Sequence, residues 1–396
     1  MSRQGTRYLL PLLAVAALVR AEVNPPHPAA AKGLAKKEVC LRYAREVGEH
    51  LLDADTGKRD VYSGDAGVAL FLVDLHAATG EKRWLEAARK LLDRALELDA
   101  KAAPDKGLYT GTAGVGQVCL DAFRASGEEA FLDRARACAG RIARAGPYTV
   151  VDVISGAAGT GIFLLNLHAA TGEAAHLAQA RAAGDYLART AVRGGGKAHW
   201  PIGGRVYLGF SHGAAGVAYF LLHLHRATGD PEYLALAREG AAFVLAHESP
   251  GGRWLKMTAP FDETKNPCAV QWCHGSPGIG LLFCDLGYEE PLRRCVAATL
   301  AEGRTARVGG CQCHGVAGNA ELLVEAYRRN GDEALLEAAR TFGSALLEPH
   351  GDGFRVATGV GGYRYPPGYM LGIAGIGRFF LRLAAPGETP LPLMVR

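Results

Sequence analysis

Two short stretches hold the residues best suited to chemistry, Gln271-Trp272-Cys273-His274-Gly275 and Cys311-Gln312-Cys313-His314-Gly315. Each sets a thiol beside an imidazole immediately ahead of a glycine. Thiolate sulfur and imidazole nitrogen are donors that zinc prefers, and three protein donors with a fourth position open make a catalytic site. A closed four-donor set, a zinc that only pins the fold, is the competing reading. The nine cysteines do not suit a disulfide framework: the count is odd, the chain is long, and Cys268, Cys273, Cys311 and Cys313 fall within 46 residues. Cys40, Cys119, Cys138, Cys284 and Cys295 sit among apolar residues and read as small buried hydrophobes.

The elements that must position these residues follow from an internal repeat. A Gly-x-x-Gly element with Ala or Pro at its third position opens an apolar run at Gly64, Gly111, Gly156, Gly213, Gly275, Gly315 and Gly372, the successive spacings being 47, 45, 57, 62, 40 and 57. The runs, such as Val68–His76 and Ile162–His168, are too apolar for a surface helix and predict buried helices. Three end alike, at Leu75–Gly80, Leu167–Gly172 and Leu224–Gly229, with glycine where a helix takes its left-handed cap. His76, His168 and His225 recur in those endings and read as structural. Amphipathic helices follow, over 82–98, 129–144, 176–190, 231–247, 291–304 and 333–347, and residues 35–53 supply one ahead of the first glycine element.

Seven amphipathic helices alternating with seven apolar ones predict an all-α fold, an α/α toroid with seven inner and seven outer helices. An open solenoid would need polar-faced terminal repeats, and Gly372–Leu383 is about as apolar as the interior copies. The plain reading of the glycines is that they let the inner helices start close together, without a Cβ in the way. Converging helix starts form a bowl there. His212, in Ser211-His212-Gly213, shares its repeat position with the second member of both Cys-His pairs.

Composition sets the outer bounds. The chain has 396 residues, 49% of them apolar and 21% charged, which excludes a disordered protein. A net charge of +4 does not mark a nucleic-acid surface. Arg3 and Arg7 precede the 12-residue uncharged stretch Tyr8–Val19, the layout of a secretory signal with Ala21 before the cleavage point. The stretch is too short to span a bilayer, which takes about 20 residues. Pro11, Arg20 and the oxidation-prone cysteines argue for a cytoplasmic chain instead, so both locations stay open. Residues 1–33 are thus a candidate signal segment and linker, and 34–396 one toroidal domain.

The seven glycine elements together with Trp272-Cys273-His274-Gly275 and Cys313-His314-Gly315 resemble the lanthionine synthetase C-like (LanC-like) family, over about residues 35–383. The resemblance implies a zinc held by Cys273, Cys313 and His314, with His274 not a ligand. It also implies addition of a cysteine thiol to dehydroalanine or dehydrobutyrine in a modified peptide, giving a thioether. Zinc keeps a thiol deprotonated at neutral pH, and a histidine is the natural donor to the resulting enolate. His212 matches the family's acid/base histidine, and Asp152, in Asp152-Val153-Ile154-Ser155-Gly156, an acidic residue near it. Their bland readings are a satisfied rim histidine and a cap for the helix after Gly156. Several cyclases carry an Arg just before the first zinc cysteine; here 267–270 holds no basic residue, and Lys265 is the substitute at hand. Cys311 is extra, and reads as a bystander.

Three functions remain in view. One is a lanthionine cyclase acting on a dehydrated precursor peptide, with a separate dehydratase, because the repeats leave no length for one. Another adds glutathione or another small thiol to dehydroamino acids in proteins. The last is a non-catalytic toroid that binds peptides. A carbohydrate-active barrel would need paired acids on the bowl, for which Asp65 and Asp152 are available, but the cysteines then have no role.

Overall fold

The computed structural model describes residues 24–258, 268–304, 309–360 and 363–396. The candidate signal at 1–21 and Lys265 lie outside the described residues. Within 22–33, read above as linker, Pro28–Gly33 (α1) is helical, with Ala30 and Ala31 buried. His27 places its ring 5.1 Å from Phe354, and its backbone N–H donates to Ser344 at 3.2 Å.

Seven inner helices carry the core: α3 (Asp65–Thr79), α5 (Thr112–Ser126), α7 (Ala157–Thr171), α9 (Ala214–Thr228), α11 (Ser276–Leu286), α13 (Val316–Asn330) and α15 (Ile373–Ala384). Seven outer helices sheathe them: α2 (Lys37–Leu51), α4 (Lys82–Lys101), α6 (Glu129–Arg144), α8 (Ala174–Thr190), α10 (Pro231–Leu245), α12 (Glu289–Glu302) and α14 (Glu333–Ser344). Each inner helix packs against the next, and α15 returns to pack against both α3 and α2. The ring is closed, which excludes the open solenoid. Patterning explains the layers. Val68 to Val73 are all buried, whereas α4 buries a stripe through Trp84, Ala88, Leu91, Leu92 and Ala95 and turns its charges outward.

The inner-to-outer turns use glycine as expected: Gly80, Gly172 and Gly229 stand at φ 71°, 70° and 72°. His76, His168 and His225 each bond through Nδ1 to the carbonyl five residues on, at 3.1, 3.0 and 2.7 Å, a structural use in all three. Short hairpins interrupt the helical pattern where successive glycine elements lie 57, 62 and 57 residues apart. They are β1–β2 (Val192–Gly194, Lys197–His199), β3–β5 (Glu248–Ser249, Arg253–Leu255, Cys268–Ala269) and β6–β9 (Leu347–His350, Gly353–Val356, Gly359–Val360, Tyr363–Arg364). The longer spacings are thus insertions between an outer helix and the next inner one.

The glycine elements do more than allow the close packing expected of them, although in six of the seven a Cβ on the second glycine would also meet a side-chain atom of the neighbouring repeat at 2.5 to 2.9 Å. A Cβ on the second glycine would lie 1.7 to 2.2 Å from the carbonyl oxygen six residues upstream, in all seven copies: Val61 for Gly67, Leu108 for Gly114, Val153 for Gly159, Phe210 for Gly216, Trp272 for Gly278, Gln312 for Gly318 and Tyr369 for Gly375. The tightest constraint is local. Each loop folds down onto the first turn of its own helix, and only a missing side chain makes room.

Those folded loops join into a ring of backbone hydrogen bonds. Tyr62 N donates to Tyr109 O (2.9 Å), Tyr109 N to Ile154 O (2.9 Å), Val153 N to Ser211 O (3.1 Å) and Ser211 N to Cys273 O (3.2 Å). The circuit continues from Cys273 N to Cys313 O (3.1 Å) and Cys313 N to Met370 O (2.9 Å), and Met370 N closes it on Tyr62 O (2.9 Å).

At the other end the lumen is polar. Arg382 is fully buried against Glu321 at 2.9 Å, Arg378 against Asp74 at 2.7 Å, and Asp121 meets Arg396 at 2.8 Å. These groups also hold the C-terminal segment inside the ring: Arg378 donates to Pro390 O (2.6 Å), Arg382 to Thr389 O, and Asn166 Nδ2 to Met394 O (2.9 Å). Arg378 and Arg382 lie in the stretch read as apolar. Partners far away in sequence make their burial tolerable. Among the described residues no helix is long and apolar enough to cross a membrane.

Gly159→Ala tests the loop constraint away from the cysteines. Its Cβ would meet Val153 O at 2.0 Å. A loss of about 1–3 kcal/mol is expected in denaturant titration, as for overpacking elsewhere, whereas Gly140→Ala, with only a flexible arginine tip at 3.4 Å, should leave stability nearly unchanged.

Candidate metal centre and active site

Cys273 and Cys313 occupy neighbouring places in the hydrogen-bonded ring, each two residues before the first glycine of its element. The backbone therefore brings their sulfurs together, and His314 joins them from the next position. One donor atom from each of Cys273, Cys313 and His314 lies within 4.8 Å of the others, with both cysteines buried. Asn319, on α13 behind the second cysteine, fastens the loop of the first: its Oδ1 accepts from Trp272 N (3.2 Å), and its Nδ2 donates to Val270 O (3.0 Å). Sequence reading missed Asn319; a buried amide inside an apolar helix was the available signal.

Burial and sulfur–imidazole contacts shift the groups at the cluster in different directions. Burial opposes charge on His314, yet the Cys311 and Cys313 sulfurs beside it raise its pKa to about 11. Burial alone would raise Cys311, but its contact with His314 brings it below the usual thiol value. Cys311 thus rests against the His314 imidazole, outside the three-donor cluster. Cys313 is pushed well above the usual thiol value, by its hydrogen bond with Cys273 and then by burial.

Beside this cluster stands an acid–imidazole pair. His212 Nδ1 lies 2.5 Å from Asp152 Oδ2, and Asp152 is 2% exposed. A carboxylate only accepts, so Nδ1 carries the proton, and among the described residues no hydrogen bond holds Nε2. The other oxygen of Asp152 accepts from Ser155 N at 2.8 Å, so the residue also serves its own turn. Asp60 does the same for Ser63 N at 2.7 Å in the first repeat, where no histidine follows. The imidazole contact is what distinguishes Asp152. His212 reaches the metal cluster through its neighbours: Ser211 Oγ donates to Cys273 O (2.9 Å), and the His212 and His274 rings lie 5.7 Å apart. Tyr207 completes a triangle, 6.0 Å from His212 and 5.8 Å from His274. His274 is held well below the usual imidazole pKa, by burial first and then by His212, Lys256 and His314. Asp65, the other acid at a glycine element, is fully buried and bound to Arg94 at 2.9 Å and Thr56 at 2.8 Å, so it offers no second carboxylate to the bowl.

With this geometry in hand, comparison with known proteins is informative. The family described as lanthionine synthetase C-like protein matches residues 55–395. The chain belongs to that family. Zebrafish (Danio rerio) "Glutathione S-transferase LANCL1" is 25% identical over 193 residues, which is 47% of this chain and 45% of that protein. The chain thus spans about half the length of this curated relative. The solved structure of nisin cyclase superposes with a TM-score of 0.66 at 17% identity, covering 89% of this chain and 95% of that one. It shares the toroidal fold.

Cys313→Ala should abolish retention of one equivalent of divalent metal, with helical content by circular dichroism unchanged. Cys311→Ala should keep the metal. Equal retention in both variants would refute the three-donor cluster.

Proposed function

We propose that the protein is a zinc-dependent thioether-forming cyclase that adds a cysteine thiol to dehydroalanine or dehydrobutyrine in a modified peptide. The observation that carries this reading is the meeting of Cys273, Cys313 and His314 within 4.8 Å. Two soft sulfurs and one imidazole suit zinc, whose bonds of about 2.3 Å to sulfur and about 2.0 Å to nitrogen put tetrahedral ligand atoms roughly 3.5–3.8 Å apart. Three protein donors leave a position for an exogenous ligand, and zinc there supplies a thiol that stays deprotonated at neutral pH. Family membership supports the same chemistry.

The protein's own residues manage the proton. Asp152 holds Nδ1 of His212, leaving Nε2 to take the proton of the incoming thiol. The sulfur pair forms a bond to the β-carbon of the alkene, and the π pair moves toward the α-carbon. His212 then returns the proton to that carbon. The count balances, since the imidazole ends as it began. Asp152 steadies the intervening imidazolium and fixes the ring, as an outer carboxylate does for many functional histidines. His274, kept neutral by burial, adds no competing charge next to His212.

The substrate we assign is a dehydrated precursor peptide, which requires a separate dehydratase as partner. The second reading keeps the site and changes the nucleophile to glutathione or another small thiol. The name of the zebrafish relative, a glutathione S-transferase, favours it. Supplying a dehydrated peptide with and without glutathione separates the two, by whether ring closure or intermolecular addition dominates.

His212→Phe should keep its zinc and lose about 10²–10⁴ in kcat, the usual worth of a general acid–base group. Unchanged turnover would remove His212 from the reaction. Stripping zinc with a chelator should stop thioether formation, and added zinc should restore it.

A further inference from the structure

Tyr62 lies in the first repeat, 251 residues from Cys313, and no motif points to it. Its hydroxyl nevertheless donates to Cys313 Sγ at 3.1 Å. The contact is not a chance approach of a mobile side chain, because the backbone of Tyr62 is fixed on both sides. Its N–H donates to Tyr109 O at 2.9 Å, and its carbonyl accepts from Met370 N at 2.9 Å. Met370 in turn accepts from Cys313 N at 2.9 Å, so phenol and sulfur are held by a shared three-residue stretch of the ring. Among the described residues no hydroxyl donates to Cys273 Sγ, whose thiol lies 3.8 Å from Gln271 Oε1 as the donor and is hydrogen-bonded to Cys313.

This asymmetry matters to a centre built to alkylate sulfur. Resting on the cyclase reading above, the site presents an electrophilic alkene to an incoming thiolate while two of its own thiolates stand beside it. Those sulfurs are nucleophiles of the same kind. A hydrogen bond to a thiolate withdraws electron density, lowering its reactivity, and charge-assisted bonds of this sort are the stronger ones. It also offsets negative charge. A divalent ion with two cysteinates is neutral, and binding a third sulfur makes the site anionic, which a nearby O–H dipole eases.

We propose that Tyr62 is a positioning residue that keeps Cys313 a metal ligand instead of a nucleophile, so that the alkene reacts with the incoming thiol. The reaction it suppresses is balanced: Cys313 Sγ would bond the β-carbon of a dehydroalanine unit, the π pair would pass to the α-carbon, and water would protonate it. The product is a thioether on the protein and a lost ligand.

Two measurements on the full chain test this. In the cobalt-substituted protein, Tyr62→Phe should move the sulfur-to-metal charge-transfer band to longer wavelength, because an undamped thiolate gives up its electrons more easily. A ring-fluorinated tyrosine at position 62, a stronger donor, should move it the other way. Tyr109→Phe is the control, since Tyr109 holds the equivalent place in the second repeat and its hydroxyl makes no hydrogen bond to a ligand sulfur among the described residues; it should leave the band in place. In the zinc protein, incubation with a small N-acyl dehydroalanine ester and no added thiol should raise the Cys313-to-Cys273 adduct ratio about tenfold in Tyr62→Phe, the worth of one hydrogen bond to a charged group. Mass spectrometry of the digested chain reads that ratio. An unmoved band in both Tyr62 variants overturns the contact, and a moved band with an unchanged ratio overturns the protective role. Neither readout requires ring closure on a peptide, so failure of the cyclase reading would show separately as intact bands without turnover.

Discussion

The closed ring of backbone hydrogen bonds at one end of the toroid is the constraint on which the site depends. A single such bond contributes about 0.5–1.5 kcal/mol net. What matters here is that seven of them fix seven loops relative to one another, so that side chains from distant repeats meet at defined distances. Cys273 and Cys313 are neighbours in that ring. Their sulfurs can share an ion because their backbones already share a hydrogen bond. The circuit slips by one residue at a single place, where Ile154 accepts but Val153 donates. That slip lies beside Asp152, the residue that turns toward His212.

The glycines belong to the same constraint. A loop can lie in the ring only if it folds onto the first turn of its own helix, and the carbonyl six residues before the second glycine of each element occupies the space a Cβ would need. The scaffold is therefore repeated sevenfold while its chemistry is not. The first repeat contributes Tyr62, the third Asp152, the fourth His212, the fifth Cys273 and His274, and the sixth Cys313 and His314. Five of the seven repeats contribute one or two of these groups each, and the ring assembles them.

Much of this was legible in the amino-acid sequence because the repeat is written in residue types with strong local effects. The seven glycine elements, the left-handed caps at Gly80, Gly172 and Gly229, and the outer helix Glu129–Arg144 follow from patterns within a few residues. The Cys-His pairs marked the cluster for the same reason. What was hidden depends on partners far along the chain. Arg378 and Arg382 look out of place in an apolar helix until Asp74, Glu321 and the carbonyls of Thr389 and Pro390 are seen to receive them. Asn319 and Tyr62 act on loops 47 and 251 residues away. Helix α1 was concealed by a proline-rich start, since Pro28 in its first turn is as compatible with a helix as with a linker.

The two ends of the lumen are built on opposite principles, and this bears on how a substrate can approach. At the far end, buried arginines and carboxylates bind the C-terminal segment, whose Leu391, Pro392 and Met394 line a small pocket together with Tyr109, Trp272 and Met370. Charges satisfied in this way resist displacement, because removing their partners would leave ions unpaired in the interior. Beside the cluster of Cys273, Cys313 and His314 the bowl is rimmed by Tyr207, His212 and His274, where His212 keeps about a quarter of its side chain exposed. A ligand that reaches the cluster from this rim need not displace the buried ion pairs of the far end, so the groups that hold the C-terminal segment and the groups of the bowl can serve separate ends of the same lumen.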